Sequence, residues 1–256
     1  MDLGLKGKVA VVTGGTRGIG KAIAECFADE GADVAICARN AADIAQTVEL
    51  LQAKGVKAWG QSTDLSDAAA IKTFVDGAAS ELGGVDVLVS NVSALVLSDS
   101  EEDWQNMFEI DMLGTLRLFN AAKGYLEAAA QASGDAAFTI ISSIVAAEPY
   151  KPSPYSAMKA ALINFAKGAA RTSAEMKVRC NVVSPGNVYF EGGVWERLEK
   201  EMPDFFDSWI KKNPTGRMAT PAEIAAAVVF LSSARSAFTT GANLIVDGAL
   251  TQRASY

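Results

Sequence analysis

Short, nearly uninterrupted apolar runs alternate along the chain with longer stretches in which apolar residues recur every three or four positions. The runs Val9–Val12, Val34–Cys37, Val56–Gln61, Val87–Val89, Phe138–Ser142, Val178–Val183 and Leu244–Val246 predict strands, each short and mostly β-branched or apolar. Between the first two, Ile19, Ala22, Ile23, Cys26 and Phe27 recur at helical spacing, and helices fill the remaining gaps. Such alternation argues for an α/β fold: a doubly wound parallel sheet of about seven strands, with helices on both faces and right-handed crossovers. A ligand is then expected past the carboxyl ends of the strands. No linker, internal repeat or low-complexity tract divides residues 1–256, so one domain is expected.

The first strand runs directly into Thr13-Gly-Gly-Thr-Arg-Gly-Ile-Gly20. Glycines permit a tight strand-to-helix turn, and the helix starting near Gly18 presents unpaired N–H groups and a positive dipole end to a pyrophosphate. A Gly-rich stretch alone is a weak signal, because many are plain turns. Here it sits inside a βαβ unit, which is the context a dinucleotide site requires.

Composition then narrows the chemistry. The net charge of −7, without any Lys/Arg cluster, disfavours nucleic acid or an anionic membrane surface as partner. Cys26, Cys37 and Cys180 fall within apolar elements and read as small core residues, not as disulfides or a metal site. Met1–Lys8 carries charges and no apolar leader, and the apolar stretch near Ile224–Leu231 is too short to cross a bilayer, so a soluble, cytoplasmic protein is expected. The chain has no histidine. Histidine-activated nucleophiles are excluded, and proton transfer near neutral pH must rest on Tyr, Lys, Asp, Glu or Cys.

Tyr155-Ser156-Ala157-Met158-Lys159 begins a helix after Pro152 and Pro154, placing Tyr155 and Lys159 one turn apart on the same face. Such a pair is commonplace on solvated helices. Ser142 and Ser143, however, end the fifth strand just before this helix and bring hydroxyls toward the same cleft. Together with Thr13–Gly20, Asp64, Asn91 and Ser184-Pro185-Gly186, in that order, this pattern resembles the short-chain dehydrogenase/reductase family over essentially the whole chain. Gly216–Ile224 is similar to the segment that leads into the family's last large helix.

The resemblance implies a Rossmann-like single domain, a nicotinamide cofactor and a homo-oligomer, dimer or tetramer. It implies that Tyr155 is the general acid/base and that Lys159 stabilises its phenolate while holding the nicotinamide ribose. A charge effect strong enough to favour the phenolate needs a water-poor cleft, since solvated i,i+4 pairs contribute only about 0.3–0.5 kcal/mol. Ser143 is expected to bind the substrate oxygen, with Ser142 as the alternative because the serine-to-tyrosine interval is about one residue short from Ser143. Cofactor contacts are expected from Gly14, Thr16, Arg17, Gly18, Ile19 and Gly20, from Arg39, Asn40, Asp64, Leu65 and Asn91, and from Pro185, Gly186 and Val188, beside Tyr155 and Lys159. Asp64 reads equally as a cap for the helix that follows it.

Three positions depart from the family pattern. Asp111 stands where a catalytic asparagine is usual, and reads either as part of the proton relay or as a solvated residue on a helix. Ser93 replaces a small glycine after Asn91, and Phe190 replaces a threonine that contacts the nicotinamide amide, leaving the Val188 backbone to serve. At the end of the second strand Cys37-Ala38-Arg39-Asn40 has no carboxylate to repel a 2′-phosphate, while Arg39 and Arg17 offer positive charge, so NADP(H) is favoured over NAD(H). A lid is expected over about residues 188–214. Its aromatic residues, Tyr189, Phe190, Trp195, Phe205, Phe206 and Trp209, fit a bulky substrate or serve the packing of two amphipathic helices. The expected activity is hydride transfer between nicotinamide and a small-molecule ketone or secondary alcohol, 3-oxoacyl compounds included, although Glu191, Glu196 and Glu199 suit an acidic carrier poorly. The alternatives are a catalytically impaired, NADP(H)-binding regulatory protein of the same fold, or an epimerase or dehydratase retaining bound NAD.

Overall fold

The computed structural model describes residues 2–96 and 98–254; Met1, Leu97, Ser255 and Tyr256, part of the expected 1–256 domain, lie outside the described residues. Seven strands make one sheet: β1 (Val9–Thr13), β2 (Asp33–Ala38), β3 (Ala58–Ser62), β4 (Val87–Ser90), β5 (Ala136–Ile141), β6 (Val178–Pro185) and β7 (Asn243–Val246). Every neighbouring pair is parallel, in the order β3-β2-β1-β4-β5-β6-β7. The winding direction reverses between β1 and β4, which opens a crevice past their carboxyl ends.

Successive side chains of a strand point to opposite faces, so a doubly covered sheet needs apolar residues at every position. In β1, Val9 and Val11 enter a core shared with α3 (Ala68–Leu82), α5 (Gly114–Ser133) and α6 (Pro154–Ser173). Ala10 and Val12 enter the opposite core, shared with α1 (Gly18–Asp29), α2 (Ala41–Gln52) and α9 (Pro221–Ser232). Three further helices stand outside these layers: α4 (Glu101–Met107), and the pair α7 (Val194–Glu201) and α8 (Pro203–Lys212).

The strand limits shift from the sequence expectation for local reasons. The third strand starts at Ala58 and not Val56, because the Lys57 N–H is taken by the Asp33 carboxylate at 2.8 Å instead of a ladder carbonyl. The fifth begins two residues earlier, at Ala136, whose small side chain is buried without signalling a strand. The helical stretch from Glu101 to Ser133 is also not uniform. Its Phe108–Leu113 segment is wound as a π-helix, a geometry that clusters at functional sites.

Candidate active site

The turn after β1 delivers the first half of the site. Arg17 N-caps α1 with extended backbone and no side-chain hydrogen bond, and the first turn carries no acidic residue. The opening N–H groups of α1 are thus left without a side-chain cap, as an anion site at a helix N-terminus requires. Gly20 allows α1 to lie against the turn: a Cβ there would stand 2.1 Å from the Gly14 carbonyl oxygen. Asn91, at the end of β4, fastens this turn to the sheet, its amide donating to the Thr13 carbonyl at 3.0 Å while its N–H donates to Thr13 Oγ1. Thr13, which opens the glycine motif, thus also anchors the turn to the end of β4.

One side chain lies across that cradle. The Phe190 ring packs on Gly18, where a Cβ would come within 2.6 Å of it. Val188 forms a parallel bridge with Ala219 through Tyr189 N–H and Asn187 C=O, so the N–H and C=O of Val188 itself take no part in the bridge. Gly186, after Pro185, sits tight against Asp247, 2.8 Å from a built Cβ.

Around the crevice's other rim, Arg17 and Arg39 are exposed. The Asn40 side chain is engaged as the N-cap of α2, accepting from Ala42 at 2.9 Å. Asp64 accepts from the Ser66 N–H and hydroxyl, which, with a smaller contribution from Arg39, hold its carboxyl below the usual range. The helix cap is Asp67, one turn later, so the reading of Asp64 as that cap is corrected. Leu65 is buried, its carbonyl against Gly114.

The second half of the site is built by α6 on the end of β5. Pro154 occupies the first helical position, where its missing N–H costs nothing. Tyr155 is half-buried and Lys159 buried, with Lys159 Nζ 5.7 Å from the centroid of the Tyr155 ring. Nζ donates to the Ile141 carbonyl at 3.1 Å and lies 3.2 Å from Asp111 Oδ1. Asp111 is fully buried in the π-helical segment, which removes the reading of a solvated helix residue. Its Oδ2 accepts from the Ala94 N–H at 2.9 Å, so the departures at Ser93 and Asp111 lie in one contact region.

The two serines differ in what holds them. Ser142 Oγ donates to the Lys159 carbonyl at 2.8 Å and staples β5 to α6. Ser143 Oγ accepts a long contact from Val145 N–H at 3.4 Å, and among the described residues its proton has no acceptor. Beside this face, a cavity of about 530 Å³ opens between Trp104 of α4, Tyr150 and the Ser153–Ala160 edge of α6. Tyr155 does not line it.

The aromatic rings of the lid segment are largely spent on one another. Trp195 lies 6.3 Å from Phe205 and 5.9 Å from Trp209, and Trp209 meets Tyr150 edge-on at 4.9 Å. Of the two readings, packing accounts for these rings. Tyr189 donates to Glu199, a hydrogen bond that pushes its phenol up to about 12. Two further links escaped the sequence reading: Asn213 ties α8 to the Asp247 carbonyl at 3.0 Å, and Glu148 accepts from the N–H groups of Gln252 and Arg253. Each joins residues far apart in the chain. Among the described residues, no cluster of metal-ligating side chains occurs and no helix is long and apolar enough to cross a membrane.

An uncapped helix N-terminus at the switch of a parallel sheet, with a half-buried tyrosine and a buried lysine beside the end of β5, is an arrangement that fits a nicotinamide-dependent oxidoreductase. Comparisons agree with that class. A family profile described as enoyl-(acyl carrier protein) reductase matches residues 14–251. The chain is 34% identical over 257 residues to an isoepoxydon dehydrogenase of Penicillium expansum, covering 98% of this chain and 97% of that one. It is 35% identical over 252 residues to the cis-4-hydroxycyclohexanecarboxylate dehydrogenase of Sinomonas cyclohexanicum, covering 95% and 96%. The structure of L-sorbose reductase from Gluconobacter frateurii, complexed with NADPH and L-sorbose, superposes with a TM-score of 0.88 at 30% identity, over 99% of this chain and 100% of that one. The chain belongs to the short-chain dehydrogenase/reductase family, NAD(P)-dependent enzymes acting on CH–OH and C=O groups.

Proposed function

We propose that the protein is an NADP(H)-preferring reductase of small ketones, working in reverse as a secondary-alcohol dehydrogenase. When bound, the nicotinamide supplies or receives the hydride at the substrate carbon. The remaining chemistry falls to this chain. Tyr155 gives its phenolic proton to the carbonyl oxygen during reduction and takes it back during oxidation. Ser143 donates its free hydroxyl proton to the same oxygen and steadies the charge that develops there. Lys159, buried beside the Tyr155 ring, favours the phenolate and orients the ribose. Ser142 acts in the framework, since its proton is already given to the Lys159 carbonyl.

Cofactor preference rests on the exposed Arg39 and Arg17 at the end of β2 and the start of α1, with no carboxylate at the β2 terminus. The phosphates are held by the opening amides of α1, with Thr16 and Ile19 alongside, and the carboxamide by the Val188 backbone. Asp64, Leu65 and Asn91 border the adenosine and the central sheet. Alicyclic or polyol-like ketones are the substrate class, because relatives are named for cis-4-hydroxycyclohexanecarboxylate and D-threitol and the structural neighbour for L-sorbose. Residues 188–214 close over that substrate, and copies of the chain associate as dimers or tetramers.

The observation that carries this reading is the buried Lys159 ammonium 5.7 Å from the Tyr155 ring. It is tested by following NADPH absorbance against a panel of cyclic ketones, keto-sugars and 3-oxoacyl thioesters, each repeated with NADH. Turnover with a cyclic or sugar ketone and a higher kcat/KM for NADPH support it. Cofactor binding without turnover of any member in a single-turnover experiment contradicts it and favours the regulatory alternative.

A further inference from the structure

Asp111 and Lys159 form an ion pair sealed from water, their side chains 0% and 3% exposed, 3.2 Å apart. The contact is electrostatic in kind: Asp111 Oδ1 is buried without an aligned hydrogen bond, while Oδ2 is fixed by the Ala94 N–H. An asparagine would fill the same space and could accept the same N–H without carrying charge. We propose that the Asp111 carboxylate is a positioning residue that offsets the Lys159 charge and thereby moves the enzyme's working range to higher pH than a neutral side chain would give. This rests on the reading of Tyr155 as the acid/base.

The direction follows from signs. A lone ammonium beside a phenol favours the phenolate; a carboxylate against that ammonium weakens its field at the ring. The pair is shielded from bulk solvent, so salt and water screen it little. Other ionisable groups on the elements packed against α6 are paired, exposed or uncharged, Glu175 beyond the far end of α6 being exposed. Glu109 pairs with Arg117, Glu148 accepts from the Gln252 and Arg253 amides, and Arg179, at the far end of β6, pairs with Asp135. Glu101 and Glu102 are exposed on α4, and Asp103 closes that helix's capping box. Cys180 is buried in β6, and its burial pushes the thiol up to about 12, so it stays uncharged. Tyr150 is largely exposed and Lys167 reaches the Gly241 carbonyl.

The test is Asp111→Asn, read in two ways. The rising limb of the pH profile for alcohol oxidation is expected to move down by about 1 pH unit. The phenolate absorbance of the cofactor-free protein, taken as the difference from its Tyr155→Phe counterpart in wild-type and D111N backgrounds, is expected to shift in the same direction. Unmoved curves in a folded variant overturn the inference, as does an upward shift. Asp111→Ser carries the same expectation if the asparagine variant does not fold, and failure of both to fold would show a structural role only. The two readings separate cleanly: if Tyr155→Phe is inactive while D111N leaves both curves in place, only this inference fails, whereas an active Tyr155→Phe removes the reading beneath it.

Discussion

At the scale of single residues, the site depends on which polar atoms are already committed. Asn40 and Ser142 carry side chains of the right chemistry, but their hydrogen bonds are made within the fold, to a helix terminus and to the Lys159 carbonyl. Ser143 and Arg39 are not so committed, and the predictions follow them. Arg39→Ala is expected to weaken NADPH by about tenfold or more while changing NADH little, since a charge-assisted contact to a phosphate contributes roughly 1.5–3 kcal/mol. Paired kcat/KM values check this, and equal loss with both cofactors would contradict it. Phe190 lies over the phosphate cradle against Gly18. Phe190→Ala should tighten NADPH by a factor of about 3, under 1 kcal/mol, in a fluorescence titration; weaker binding would show instead that the ring contributes contact. The motif residues themselves were legible in the sequence, because Tyr155, Lys159 and the glycine turn have fixed spacing. The burial of Asp111 was not legible, because the π-helical turn that carries it inward leaves no periodic signal.

At the scale of elements, the helix that follows the lid is held by a compact set of polar contacts. Thr220 caps α9 and Glu223 completes a capping box, with Arg217 paired to Glu223. Thr220→Ala is expected to cost about 1 kcal/mol in denaturant unfolding. The Arg217 hydrogen bond, then the Thr220 amide, lower the Glu223 carboxyl from 4.5 to about 2. A depressed folded-state value means stability that is present above the unfolded value and is lost as pH falls toward about 2. Glu223→Gln should therefore match the wild type near pH 2 and fall below it above about pH 5, by a small margin because the pair is exposed. Equal stability at both ends would contradict it. Seven strands were readable from apolar runs, but their ends were not, since Asp33 capturing the Lys57 amide and the silent burial of Ala136 depend on neighbours distant in sequence.

At the scale of the whole molecule, chemistry and stability sit at opposite ends of the sheet. The carboxyl ends carry the glycine turn, Ser143 and the start of α6. At the other end, Arg179 reaches from the start of β6 to Asp135 at 2.7 and 3.0 Å and to the Leu231 and Ser233 carbonyls at the end of α9. Removing the buried Arg179 leaves the half-buried Asp135 carboxylate and the buried Leu231 and Ser233 carbonyls without their donor, so Arg179→Ala should lose about 2–3 kcal/mol. Activity per folded molecule should stay near wild type, because the change is remote from the crevice; a large loss of kcat in the folded fraction would contradict this separation. The layered α/β plan was legible because a doubly covered sheet demands strands apolar on both faces. The tertiary ties from Asn213 to Asp247 and from Glu148 to the chain near Arg253 were not, because nothing local marks their partners.

The central claim is that the Tyr155 phenol moves the proton while Lys159 supports it from within the fold. It is tested most directly by Tyr155→Phe under single-turnover conditions, with NADPH affinity measured on the same sample. The account predicts a rate lowered by about 100-fold or more with cofactor affinity nearly unchanged, and a near-normal rate would contradict it.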